Sequence, residues 1–169
     1  MNNKGINLIA LIIMIIIMII LAGIAINNST TSVDKSFEAK AREERNQVAI
    51  AVSARFGEYH INSVASPIIG ETIPSEYFSS DTDEENIENT KDYLVSMFRR
   101  EGKMQTDDEL YNHTIENQLQ KFLEDNINDM EYTRILRHDD VIGLALDSIS
   151  LASEFVVNYY SADVVGPIQ

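Results

Sequence analysis

Hydrophobic and polar positions divide this chain unequally. No charged residue occurs between Lys4 and Asp34, and residues 8–26 read Leu-Ile-Ala-Leu-Ile-Ile-Met-Ile-Ile-Ile-Met-Ile-Ile-Leu-Ala-Gly-Ile-Ala-Ile with no polar interruption. Across residues 6–26, where Asn7 is the one polar side chain, a helix would rise about 31 Å, close to the thickness of a bilayer hydrocarbon core. Residues 6–26 are therefore predicted to be a transmembrane helix. Residues 27–32, Asn-Asn-Ser-Thr-Thr-Ser, are poor helix formers whose short side chains compete for backbone hydrogen bonds, and they predict a hinge.

Helical periodicity returns after Asp34. Phe37, Ala41, Val48, Val52, Phe56 and Tyr59 recur at spacings near three, four and seven, while Lys40, Arg42, Glu43, Glu44 and Arg45 fall largely on the other side, as in an amphipathic helix. Residues 61–83 hold Pro67, Gly70 and Pro74 among Ser and Thr, the composition of an exposed connection. Residues 84–101, with Ile87, Tyr93, Leu94, Met97 and Phe98, predict a second helix that stops at Gly102. Thr106-Asp107-Asp108-Glu109 has capping-box spacing, and Leu110, Ile115, Leu119, Phe122, Leu123 and Ile127 mark a third helix after it.

Residues 131–137 read as a strand and residues 139–146 as a short helix or turn. Glu154-Phe155-Val156-Val157-Asn158-Tyr159-Tyr160 is rich in β-formers and leads through Ser161-Ala162-Asp163 to Val164-Val165, the pattern of two strands joined by a tight turn. The fold class expected is α+β. A long N-terminal helix, membrane-spanning and then amphipathic, packs on a small domain that has further helices and a small C-terminal antiparallel sheet.

Charge adds direction. Lys4 lies on the short side of the apolar run, and positive residues flanking a span tend to remain cytoplasmic, so the remainder is expected outside the cell. That remainder carries all 27 acidic residues against 12 of the 13 basic ones, a formal charge of −15. Such a surface repels phosphate backbones, which argues against nucleic acid as a partner. The chain has no cysteine, so no disulfide staples the fold.

The string Lys4-Gly5-Ile6-Asn7-Leu8-Ile9-Ala10-Leu11 resembles the start of type IV prepilins and pseudopilins of the Gram-positive kind, in which a short basic leader ends in Gly and a hydrophobic helix follows directly. The resemblance covers about the first 26 residues, and the strand, turn and final Val pair at the C-terminus resemble the end of such proteins. It implies a leader of residues 1–5, a membrane helix of residues 6–26, a hinge at 27–32 and an extracellular pilin-like domain of residues 33–169. It also implies cleavage between Gly5 and Ile6 by a prepilin peptidase, methylation of the new N-terminus, and assembly through a helix that includes Leu8, Leu11, Met14, Met18, Leu21 and Gly23. The implied partners are the membrane, the assembly platform and other pilin or pseudopilin subunits of a type IV pilus or a type II secretion-like pseudopilus. Most members carry Glu at the fifth mature position; Ala10 stands there, so that acid's role in subunit pairing is not carried over. The pattern points to a minor or initiating subunit. Two other readings of the N-terminus stay open: a secretory signal peptide cut after Ala25, and a plain single-span anchor for an extracellular protein-binding domain that does not polymerise.

Catalytic constellations are scarce, and no enzyme or cofactor is expected. His60, His113 and His138 fall in three segments without ligand spacing, and the serines lack a nucleophile-elbow context. His138-Asp139-Asp140 reads as a helix start. Asp81, Asp83 and Glu85 begin like a calcium loop, but the sixth position is Asn86 where Gly is required and the twelfth is Asp92 in place of Glu, so they form a weak calcium candidate beside an ordinary acidic helix start.

Overall fold

The computed structural model describes residues 3–104, 109–144, 146, 149 and 153–168; within the first helix, side chains are described at 14–16, 18 and from 35 onward. The chain divides into two units, Met1–Lys40 and Ala41–Gln169. Helix α1, Asn3–Ile61, supplies the whole of the first unit's described structure and continues into the second. Its backbone is helical through residues 27–32, where the composition predicts a hinge. Ser, Thr and Asn each disfavour helix by well under about 1 kcal/mol, and extending an existing helix avoids the cost of nucleation.

The second unit contains a four-stranded antiparallel sheet in the order β1-β2-β3-β4, formed by β1 (Glu71–Thr72), β2 (Thr133–Leu136), β3 (Glu154–Asn158) and β4 (Val164–Ile168). Register alternates the side chains between two cores. Ile135 faces Val156 across the β2–β3 ladder, and both join Val165 and Ile168 in a cluster with Leu94, Phe98, Leu119 and Leu123 from helices α2 (Asp83–Arg100) and α3 (Glu109–Asn126). Leu136, Phe155 and Val157 join a second cluster with Val48 and Val52 of α1 and Val141 of helix α4 (His138–Gly143). The sheet is thus covered on both faces, which is why every residue of β3 is buried, the polar Glu154 and Asn158 at its ends as well as Phe155, Val156 and Val157.

α2 stops where its sequence predicts, with Gly102 beyond the end at φ +73°, and starts one residue before the expected Glu84, capped by the Thr82 hydroxyl, which accepts from Glu85 N at 3.4 Å. In the turn between β3 and β4, Ala162 takes φ +62°, the left-handed conformation that glycine usually supplies. A bulge interrupts the β3–β4 ladder between Glu154 and Val156, where Gly166 has φ +130° and a Cβ would come within 2.7 Å of the Glu154 carbonyl.

Several sequence expectations are corrected. Phe37, assigned to the apolar face, is exposed, and Glu44, assigned to the polar side, is buried. Glu44 stands four residues before Val48 and eight before Val52, on the row of α1 that meets the sheet, so position overrides residue type. Residues 61–83 are more than an exposed connection, for they include β1, a 3-10 helix at Ser75–Tyr77 and the buried Ile73. Leu110 is exposed, one turn outside the core that begins at Ile115. Glu131 belongs to a 3-10 helix, Ile127–Tyr132, and the strand begins at Thr133. The capping box predicted from Thr106 lies outside the described residues.

Candidate functional site

Among the described residues no helix is long and apolar enough to cross a membrane. The predicted span, residues 6–26, falls largely outside the described side chains: Leu8, Leu11, Leu21 and Gly23 are not among them, while Gly5 and Ile6 are described as backbone in α1. Four side chains of the span are described, and they are informative. Met14, Ile15, Ile16 and Met18 are each between 49 and 59 % exposed. Successive helical positions turn by about 100°, so these four point around more than half of the helix circumference.

A charged node closes one end of the sheet. Arg137, between β2 and α4, meets Glu71 of β1 at 3.0 Å, Glu101 after α2 at 3.0 Å and Glu154 of β3 at 3.3 Å. The hydrogen bond that Arg137 donates to Glu101 leads the influences that raise the guanidinium's affinity for its proton. Glu154 also lies 3.8 Å from Lys103, yet burial is the larger influence and raises its carboxyl above the usual glutamate range. One arginine thereby ties four segments together. The same residue starts α4, with Asp140 Oδ2 accepting from Arg137 N at 2.9 Å, so the His138-Asp139-Asp140 helix start is capped from within.

A cleft of about 350 Å³ lies between α1, α3 and β4 within the second unit, lined by Arg45, Gln118, Lys121, Asp125 and Asp163 over Phe122, Val164 and Val165. Arg45 bridges its walls, donating to the Gly166 carbonyl at 3.0 Å and to Gln118 Oε1 at 3.4 Å. Charges of both signs rim the cleft, which leaves it no strong preference for an anion or a cation.

The remaining sequence candidates do not converge. Asp83 and Glu85 sit in the first turn of α2 with Asp81 just before it, all exposed, while Asn86, at the loop's failing sixth position, is buried and fastens Ser80 through both its amide groups. No group of metal-ligating side chains occurs among the described residues. His60 rests edge-on against Phe56 at 4.4 Å, His113 lies on α3 and His138 opens α4, three separate places.

Sequence reasoning missed the Arg137 node because its partners come from distant segments, and no local signal pairs them. It also missed the cleft, for which a faint signal existed: Gln118 and Lys121 occur at helical spacing beside the buried Leu119 and Phe122. Comparison of the chain with family models, with curated proteins and with solved structures gives no match.

Proposed function

We propose that this chain is a prepilin-like structural subunit, held in the membrane by residues 6–26 and assembled into a type IV pilus or type II secretion-like pseudopilus. The observation that carries the reading is the pairing of Lys4-Gly5 with a following uncharged run whose described members, Met14, Ile15, Ile16 and Met18, are exposed on several faces of one helix. The later part of α1, lying on an antiparallel sheet through Val48 and Val52, supports it further. The prepilin peptidase would cut after Gly5, and the assembly platform would exchange lipid around the helix for other subunits' helices. Lipid tails and Leu or Ile surfaces are about equally apolar, so that exchange supplies little driving force and direction must come from the assembly machinery.

A second reading, a single-span anchor for an extracellular domain that does not polymerise, is favoured by Ala10, which removes the acid that pairs subunits in most members. Two measurements separate them. Intact-mass analysis of membrane-extracted protein is expected to give a chain beginning at Ile6 and methylated there, with Gly5→Leu blocking the cut; a start at Ile26 would indicate a secretory signal peptide. Single cysteines at Met14 or Met18, in a chain that has none of its own, are expected to crosslink neighbouring subunits only when the assembly machinery is present. Correct processing without such crosslinks at either site would leave the anchored domain.

A further inference from the structure

We propose that an exposed aromatic patch formed by Phe56, Tyr132 and Tyr160 is a docking surface for an arginine-bearing segment of a partner protein. The inference concerns the second unit alone and does not depend on how the chain is anchored or whether it polymerises.

Three segments bring the rings together. Phe56 of α1 stands nearly perpendicular to Tyr132, at 5.3 Å and 75°, and to Tyr160, at 6.1 Å and 85°. Tyr132 and Tyr160 lie close to parallel, 26° apart with centroids at 6.0 Å. Core packing accounts for Phe56 and Tyr132, which are partly buried against the cluster under α1. It does not account for Tyr160, which is 62 % exposed yet held in ring contact with both. Beside the rings, His60 touches Phe56, and the chain continues through Ile61 and Val64, both exposed. Single exposed apolar residues are ordinary, but a contiguous aromatic group with an exposed member marks a binding surface.

Electrostatics select the occupant. The faces of aromatic rings carry the negative end of a quadrupole and attract cations. Carboxylates reinforce this: Glu131 and, to a smaller degree, Asp129 lie near enough to Tyr132 to raise its hold on the phenolic proton. The two arginines near the patch are already engaged. Arg55 meets Glu58 at 3.5 Å and the Gly143 carbonyl at 3.3 Å, and Arg134 donates to the carbonyls of Glu131 and Thr133, each at 2.7 Å. A second copy is a poor occupant, since a chain of net charge −14 would bring acid against acid. Arginine fits better than lysine because its flat guanidinium can stack on the open face of Tyr160 while its edge donates to a carboxylate.

Tyr132 and Tyr160 are two of seven tyrosines in a chain without tryptophan, so a change in tyrosine emission that is lost in Tyr160→Ala reports on this patch. Full-length protein in a non-ionic detergent is titrated with the peptide acetyl-Arg-Leu-Arg-amide and with its counterpart carrying neutral citrulline at both arginine positions. The expected result is a saturable change for the arginine peptide and binding at least about threefold weaker for the citrulline one. Tyr160→Ala and Glu131→Gln should each weaken the arginine peptide about three- to tenfold, the range of a cation–π contact or an exposed ion pair. Asp81→Asn, a charge loss elsewhere, should leave it unchanged. Glu131→Gln keeps every ring in place, so its effect does not depend on Tyr160→Ala folding normally. Equal binding of the two peptides, absence of saturation, or wild-type affinity in both Tyr160→Ala and Glu131→Gln would overturn the proposal. So would saturable binding of neutral chitotetraose, lost in Tyr160→Ala, with no response to the arginine peptide; that result would mark a glycan surface.

Discussion

Glu154 gives carboxylate oxygen Oε1 to Arg137 at 3.3 Å and keeps Oε2 buried without a hydrogen-bond partner among the described residues. Burial outweighs the attraction of Arg137 and Lys103, so the folded chain holds this carboxyl's proton more tightly than the unfolded chain does. Between the ordinary glutamate range and the higher folded value, the folded state therefore binds more protons. Stability from this group is complete below that window and is lost as pH rises through it. The neutral isostere Glu154→Gln is expected to melt no lower than the wild type at about pH 7, with the difference shrinking towards about pH 4. Thermal melts of both proteins at the two pH values check this; a clearly lower Tm for the variant at neutral pH would show that the ion pair outweighs burial.

Ala162 gains stability from the opposite change. An L-residue in the left-handed region costs about 1–2 kcal/mol that glycine avoids, and glycine returns part of that through greater freedom in the unfolded chain. Ala162→Gly is expected to stabilise the protein by about 0.5–1 kcal/mol, raising Tm by about 1–4 °C for a chain of this size.

Asn158 holds the same turn from inside. Fully buried, it donates through Nδ2 to the Asp129 carbonyl at 3.0 Å and to Thr133 Oγ1 at 3.1 Å, and accepts through Oδ1 from Tyr160 N at 2.8 Å and Ser161 N at 3.1 Å. Asn158→Ala removes four bonds, one of them to the buried Thr133 hydroxyl, and leaves a cavity at a fully buried position, for an expected loss of about 3 kcal/mol. Urea unfolding with an unchanged denaturant slope would confirm a native-state effect.

Residues 81–88 are expected not to bind calcium, because Asn86 is committed to Ser80 and Thr82 to capping α2. Calcium should shift Tm no more than magnesium at equal ionic strength. A dose-dependent, calcium-specific rise would reverse that expectation.

The elements legible in the sequence are those whose determinants are local. Gly102 stops α2 within a few residues of its end, and the run from Glu154 to Val165 announces two strands and their turn. β1 was not legible: a two-residue strand has no periodicity, and Glu71 and Thr72 are in the sheet only because Ile135 and Arg134 lie opposite. The Arg137 node was equally hidden, since Glu71, Glu101 and Glu154 lie 66, 36 and 17 residues away from it. Glu44 shows a different failure. Its four-residue spacing from Val48 was readable, but its charge argued the other way, and packing against the sheet decided the matter.

The two margins of the sheet restrict how this protein can meet others of its kind. At one margin stands β1, two residues long; at the other, β4 carries Pro167, which has no N–H to offer, beside the bulge at Gly166. Neither margin is a usable template for an incoming strand, so cross-β growth and strand donation are discouraged at both. Copies brought to high local density would remain separate at their sheets.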